Sequence, residues 1–435
     1  MKKFIILSAA VMTVASAYLF APHTKLVIAQ EDVIELDFWS FWGSEPRRNF
    51  IEQIVEDFNR SQAEIHVTHT FLPWGDIWTK NLASIAAGDP ADVIINDINS
   101  TRQRAQKNQN TNLAEFIAQE EADFAEQYYP HLWEATVYEG NNYAIPFNTD
   151  TRILFYNKDM FEEVGLDPEQ PPTTWEELKE MAQQLDVIDG NRYERLGYIP
   201  RYGIQGDVYY MNATGHGFWD FENNQPIIND PKGVEILDWV MDFEQDYGSD
   251  NLTAFTAEFG NQQADPFMSG KIAMMVKEAT HYSQIAAFAP DLNFGVAELP
   301  EFQDGYGHTS WGGGFVAEIP YGAEHPEASW EFIKYLTGVE AQEYWAVNNF
   351  DNVAHIQASQ NAFENEGMTE KGLEVYQVAV DNLAQTILTP VPLELPDILS
   401  IVNPEFDLIY LGQKTPQEAL ENAQQMAEQQ MMPLH

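Results

Sequence analysis

The stretch from His308 to Pro320, HTSWGGGFVAEIP, gathers a hydroxyl, an indole and three consecutive glycines. A nucleophile elbow needs a glycine two residues either side of its serine, so that a strained turn exposes the hydroxyl. Ser310 has Gly312 after it but His308 before it, and fails on one side. A phosphate loop needs a lysine directly after its last glycine; here Phe315 follows Gly314. Two readings remain. In one, Gly312 and Gly313 bring the backbone close to a neutral ligand while Trp311 lies over it. In the other, the glycines form a bulge entering a buried strand and Trp311 is core.

Other loops carry the same mixture of flat rings, amides and carboxylates. Trp39, Trp42 and Glu45 come from one, Trp74 from a second, and Asn96, Asp97 and Asn99 from a third. Asn148 and Asp150 follow Pro146, and GDVYYMNATGHGFWDFENN offers Tyr209, Tyr210, His216 and Trp219. Such a mixture suits sugars, whose C–H faces pack on aromatic rings and whose hydroxyls need paired donors and acceptors. Each candidate has a bland counterpart: a Trp or Tyr at a strand end can be core, and Asp97 or Asp150 can cap a helix or brace a hinge. Trp133, Trp175, Trp239, Trp330 and Trp345 sit in helical patterns and read as core.

Composition sets limits on the partner. Lys and Arg number 22 against 68 Asp and Glu, a formal charge of -46 that repels nucleic acid and anionic membrane alike. The acids are spread along the chain, as suits a solvated surface in salty or alkaline surroundings. There is no cysteine, which excludes disulfides, thiolate catalysis, Cys-based zinc sites and lipid attachment through a cysteine. No motif calls for a cofactor.

Elements must hold these loops in place. VIELDFWSFW reads as a strand ending in a loop, followed by a helix carrying Phe50, Ile54 and Phe58 on one face. EIHVTHTFL is a second strand, DIWTKNLASIAAGD a helix stopped at Gly88, and ADVIIND a buried strand. This β-α-β-α-β order predicts a parallel sheet that binds ligands beyond the carboxyl ends of its strands. At 435 residues two domains are expected. The opening MKKFIILSAAVMTVASAYLFAP has the layout of a secretory signal, with cleavage expected near Ala29; the alternative is a retained anchor.

The segment from Tyr143 to Leu185 has a strand into Tyr156, a short helix to Gly165, a proline-rich turn, and Thr174 with Glu177 as a capping box. It resembles the signature of the extracellular solute-binding proteins of ABC importers, the family that includes maltose-type sugar-binding proteins. IAAGDPADVIIND, FMSGKIAMMV, FGVAELPEFQDG, HPEASWEFIKYLTGVEAQEYW and KTPQEALENAQQMAEQQ match in the family's order. The resemblance implies an α/β, two-lobed periplasmic-binding-protein fold with a hinge and an interlobe ligand cleft. It places residues 31–146 with 295–340 in the first lobe and 148–294 with 345–430 in the second, after a leader over 1–30. It also implies a monomeric, exported, non-enzymatic protein that captures a neutral sugar and delivers it to membrane permease subunits. The missing cysteine departs from the lipoprotein pattern common among Gram-positive members.

Two rivals stay open. A secreted glycosidase would need two carboxylates about 5 to 10 Å apart across a cleft, and no spacing singles out a pair. The same fold could instead take a polyamine, a peptide or, through YYPH at Tyr128 to His131, a metal ion.

Overall fold

A computed structural model describes residues 33–431 other than 191, 203–205, 246 and 261–263. The expected leader lies outside the described residues, among which no helix is long and apolar enough to cross a membrane.

Alternation and helical periodicity give the opening units as expected. Strand β1 (Ile34–Ser40), helix α1 (Arg47–Ser61), β2 (Ile65–Phe71), α2 (Asp76–Ala87) and β3 (Val93–Asp97) follow in order, then the short helix α3 (Thr101–Gln106). Ile51, Ile54, Val55 and Phe58 form the buried face of α1. Gly88 closes α2 in the left-handed region at φ 77°, where glycine has no Cβ penalty. Strand β1 pairs in parallel with both β2 and β3.

The first sheet is completed by distant segments. β4 (Ile145–Thr149) and β9 (Gly314–Glu318) join it antiparallel, and Asn352–Val353, β10, forms its far edge. The second sheet is small and antiparallel, with β5 (Arg152–Asn157) between β6 (Met274–Glu278) and β7 (Phe294–Ala297). A short strand β8 (Ser310–Gly312) pairs in parallel with β11 (Thr386–Leu388) between the two lobes.

Each sheet has its own core. Phe38, Ile54, Phe147, Val316 and Phe332 belong to the first, and Phe155, Trp175, Phe243, Met274 and Phe294 to the second. The chain passes between them at Asp150–Thr151, at Gly313, and along the helix Glu370–Asn382, whose Tyr376 enters the first core while Val375 and Ala379 enter the second.

Two expected boundaries move. Residues 295–312, assigned above to the first lobe, belong with the second, because β7 pairs with β5 and Leu299 and Phe302 lie in the second core. Residues 345–364, assigned to the second lobe, pack on the first. Trp345 packs obliquely on Trp42 and edge-on against Phe147, with ring centres 4.6 and 5.3 Å away, and β10 extends the first sheet. Trp175, Trp330 and Trp345 are buried as expected, while Trp133 and Trp239 are half-buried.

Candidate functional site

At the end of the first sheet the register sets Asp97, Phe315 and Asn148 side by side on neighbouring strands. The loops after β1 and β3 open there, at the carboxyl ends of parallel strands. A cavity of about 450 Å³ lies between the lobes, lined by Trp42, Trp74, Asp97, Asn99, Asn148, Asp150, Trp311 and Gly313 among others. A second, of about 520 Å³, shares Asp97, Asn99 and Trp311 with it and adds Trp219, Phe218 and the segment Ile387–Pro392. Both volumes fall in the range of small-molecule sites. The two chambers form one cleft with Trp311 between them.

The glycine run is built for the chain crossing. A Cβ on Gly312 would stand 2.2 Å from the Asp150 carbonyl oxygen, and one on Gly314, at φ 149°, 2.4 Å from that of Asn148. A Cβ on Gly313, by contrast, would meet only ordinary contacts, Asn99 Nδ2 at 3.7 Å and Asp150 Oδ1 at 3.8 Å. Its N–H donates to Asp150 Oδ1 at 2.7 Å. Ser310 is fully buried; its Oγ donates to the Arg152 carbonyl and accepts from the Arg152 amide, which leaves no free hydroxyl for a nucleophile.

Arginines that the sequence reading passed over organise the charge. Arg152 donates to Asp150 Oδ1 at 2.6 Å, lies 3.3 Å from Glu278 Oε1, and sets its guanidinium 4.2 Å from the centre of the Trp311 ring. Burial pushes the Glu278 carboxyl up, but Arg152, Lys277, its own amide and Arg47 outweigh it and hold the group at about 2. Arg47 heads α1 in the cleft, and its Nε has no hydrogen-bond partner among the described residues. Asp351 accepts from Asn148 Nδ2 at 2.6 Å and Trp345 Nε1 at 2.8 Å, yet burial pushes it up to about 6.

Three polar groups at the cleft are differently placed. Asp97 accepts from the Ser100 amide and hydroxyl, Asn148 Oδ1 accepts from the Phe315 amide, and Trp311 Nε1 donates to Thr389. By contrast Asn99 Oδ1 and Trp219 Nε1 are buried without hydrogen-bond partners among the described residues, although buried polar atoms are ordinarily paired. Trp74 is the most open ring, 62% exposed, held edge-on by Phe41 and Trp78 at 4.8 and 4.7 Å.

Five candidates go elsewhere. Trp39 points to the opposite face of β1 from Phe38, packs with Ile77 and Ile94 under α2, and donates its indole N–H to Asp37. Tyr209 and Tyr210 are core residues whose hydroxyls bond Pro200 and Ile227 carbonyls; burial raises both phenols. Glu45 is exposed beside Pro46 and lines neither chamber. Asn96 is buried, donating to Glu318, which also pairs with Arg104 at 2.7 Å. His216 lines the second chamber, whereas Tyr128 is buried under Trp133 and Thr337. Phe41, Phe315 and the Pro-rich segment after β11 were also missed; the prolines of TPVP, beside a cleft that needs rigid walls, were the available signal.

Behind β11, away from the cleft, a groove of about 700 Å³ runs between the lobes. Arg102, Tyr129, His131 and Val380, which packs on the first core, line it together with Leu383 and Ala384 beyond the end of the helix Glu370–Asn382.

Two α/β lobes, three chain crossings and a polar, aromatic-walled cleft at the hinge define a solute-binding protein. Residues 42–343 match the bacterial extracellular solute-binding proteins, and the chain belongs to that family. The sn-glycerol-3-phosphate-binding periplasmic protein UgpB of Yersinia pseudotuberculosis is 24% identical over 423 residues, 90% of this chain and 91% of that one. The structure of CpMnBP1 with mannobiose bound is similar at 25% identity and a TM-score of 0.79, covering 91% of this chain and 99% of that one. Maltose-bound MalE3 of T. maritima shares the fold at 20% identity and a TM-score of 0.73, with 91% and 99% covered.

Proposed function

We propose that the protein captures a neutral oligosaccharide in the cleft by hinge closure and delivers it, unchanged, to the permease of an ABC importer. The observation that carries the reading is the cleft wall. Trp74 and Trp311 offer faces for sugar rings, Trp42 behind them being buried in the first core, and Asn99 Oδ1 and Trp219 Nε1 are an acceptor and a donor, unpaired among the described residues, of the kind hydroxyls satisfy. Relatives with bound mannobiose and maltose support it. Export of the mature chain without a lipid anchor accompanies this reading, since there is no cysteine. The lobes are proposed as 33–149 with 314–364, and 152–312 with 370–431.

A second reading, an anionic solute, is favoured by Arg47 at the head of α1 and by the name of the UgpB relative. One experiment separates them. Thermal shift is measured with neutral manno- and malto-oligosaccharides, sn-glycerol 3-phosphate and spermidine, followed by chromatography of the recovered sugar. A ligand at a hundred times its dissociation constant stabilises by about 2.7 kcal/mol. A shift with sn-glycerol 3-phosphate alone, or cleavage of the sugar, removes the proposal.

A further inference from the structure

Beyond Trp74, on the side away from the hinge, the first lobe has a third cavity of about 300 Å³ between α2 and α3. Trp74 and Asp97 line both this cavity and the cleft, so the spaces meet at the Trp74 ring. Its wall on α2 is Trp78, Asn81 and Leu82. Asn81 is only 3% exposed, and among the described residues neither its Oδ1 nor Trp78 Nε1 has a hydrogen-bond partner. These two stand three residues apart on α2, hence on one face of the helix. A donor and an acceptor on one face match a hydroxyl, which both gives and accepts a hydrogen bond. Across the groove stand Ser100 and Gln103, and the one arginine there, Arg104, is already neutralised by Glu318. The surroundings therefore suit an uncharged, hydroxyl-bearing occupant.

We infer that this groove is a further sugar subsite, so that the oligosaccharide runs out of the interlobe cleft, across Trp74, and on along the surface of the first lobe. This rests on the sugar reading above and adds a chain length to it: the preferred ligand is longer than the interlobe chambers alone would hold. Trp74, held edge-on by Phe41, Trp78 and Phe315 and still 62% exposed, is the ring the sugar chain crosses.

The test is native mass spectrometry of the mature protein incubated with graded hydrolysates of mannan, starch and xylan, followed by calorimetry with single lengths from the series captured. The wild type is expected to select the longer members, with a gain of about tenfold in affinity at the unit that enters the groove. Leu82→Trp, at a position already 45% exposed, fills the groove without loss of fold, and Asn81→Ala removes the acceptor. Both variants are expected to shift the captured ladder to shorter members and to abolish the tenfold gain, while the short members that sit between the lobes keep their affinity. Equal affinity for all lengths in the wild type, or one ladder for wild type and Leu82→Trp, overturns the subsite and leaves the sugar reading standing. Capture from none of the three hydrolysates sinks both.

Discussion

Single residues divide according to how much of each is already spoken for. Trp74 is 62% exposed beside Phe41, Trp78 and Phe315, so Trp74→Ala is expected to leave the melting temperature within a degree or so and weaken sugar binding by roughly ten- to a hundredfold. Trp311 is half-buried, bonded to Thr389 and covered on one face by Arg152. Trp311→Ala should cost a similar factor in affinity together with a fall in melting temperature, because Arg152 loses its stacking partner; calorimetry and thermal unfolding on both variants check this. Asp351 gives the pH response. Its folded value of about 6 stands above the ordinary 3.8, so folding favours the protonated acid, and stability falls as pH rises through roughly 4 to 6. Wild type minus Asp351→Asn stability is expected to drop by on the order of 1–3 kcal/mol over that window, read by denaturant unfolding at each pH. Equal pH slopes in the two proteins would count against it. Residue type alone revealed Trp74, Asn99 and Trp311 as cleft candidates but could not say which way Trp39, Tyr209 or Tyr210 face. Adjacent aromatics on a strand or helix point in different directions, and only packing decides which meets the ligand.

Elements fix the glycine turn. With Gly312 and Gly314 pressed on the backbone of Asp150 and Asn148, alanine at either is expected to destabilise the protein by about 2 kcal/mol or more. Gly313→Ala meets only ordinary contacts, so it should fold normally and project a methyl group into the cleft, lowering affinity with little change in melting temperature. Thermal unfolding and calorimetry on all three variants separate the roles; a melting temperature that falls as far for Gly313→Ala as for its neighbours would contradict them. Local pattern sufficed for β1, α1, β2, α2 and β3, where alternation, a 3.6-residue period and Gly88 agree. It could not place β8, β10 or β11. Each has two or three residues, and each owes its position to partners far away in sequence: β8 to β11 and β10 to β4.

Across the whole molecule, the order of family-like segments foretold two lobes, whereas the points of crossing depended on tertiary packing. Trp345 settles on Trp42, and β7 on β5, through contacts that no window of sequence contains. β11 and the two residues after it are a shared wall: Ile387 and Thr389 line the cleft, Thr386 lines the groove behind it, and Leu388 and Pro390 line both. Two rigid bodies pivoting about such a wall work as a see-saw, in which the rear gap widens as the jaws at the front close. A wedge at the rear should therefore act at the front. Ala384→Trp, placed in the rear gap, is expected to prop the jaws towards closure and slow sugar release severalfold, with no change to any atom that touches the sugar. Stopped-flow dissociation measures it, and an unchanged or faster release would mean that the pivot lies elsewhere.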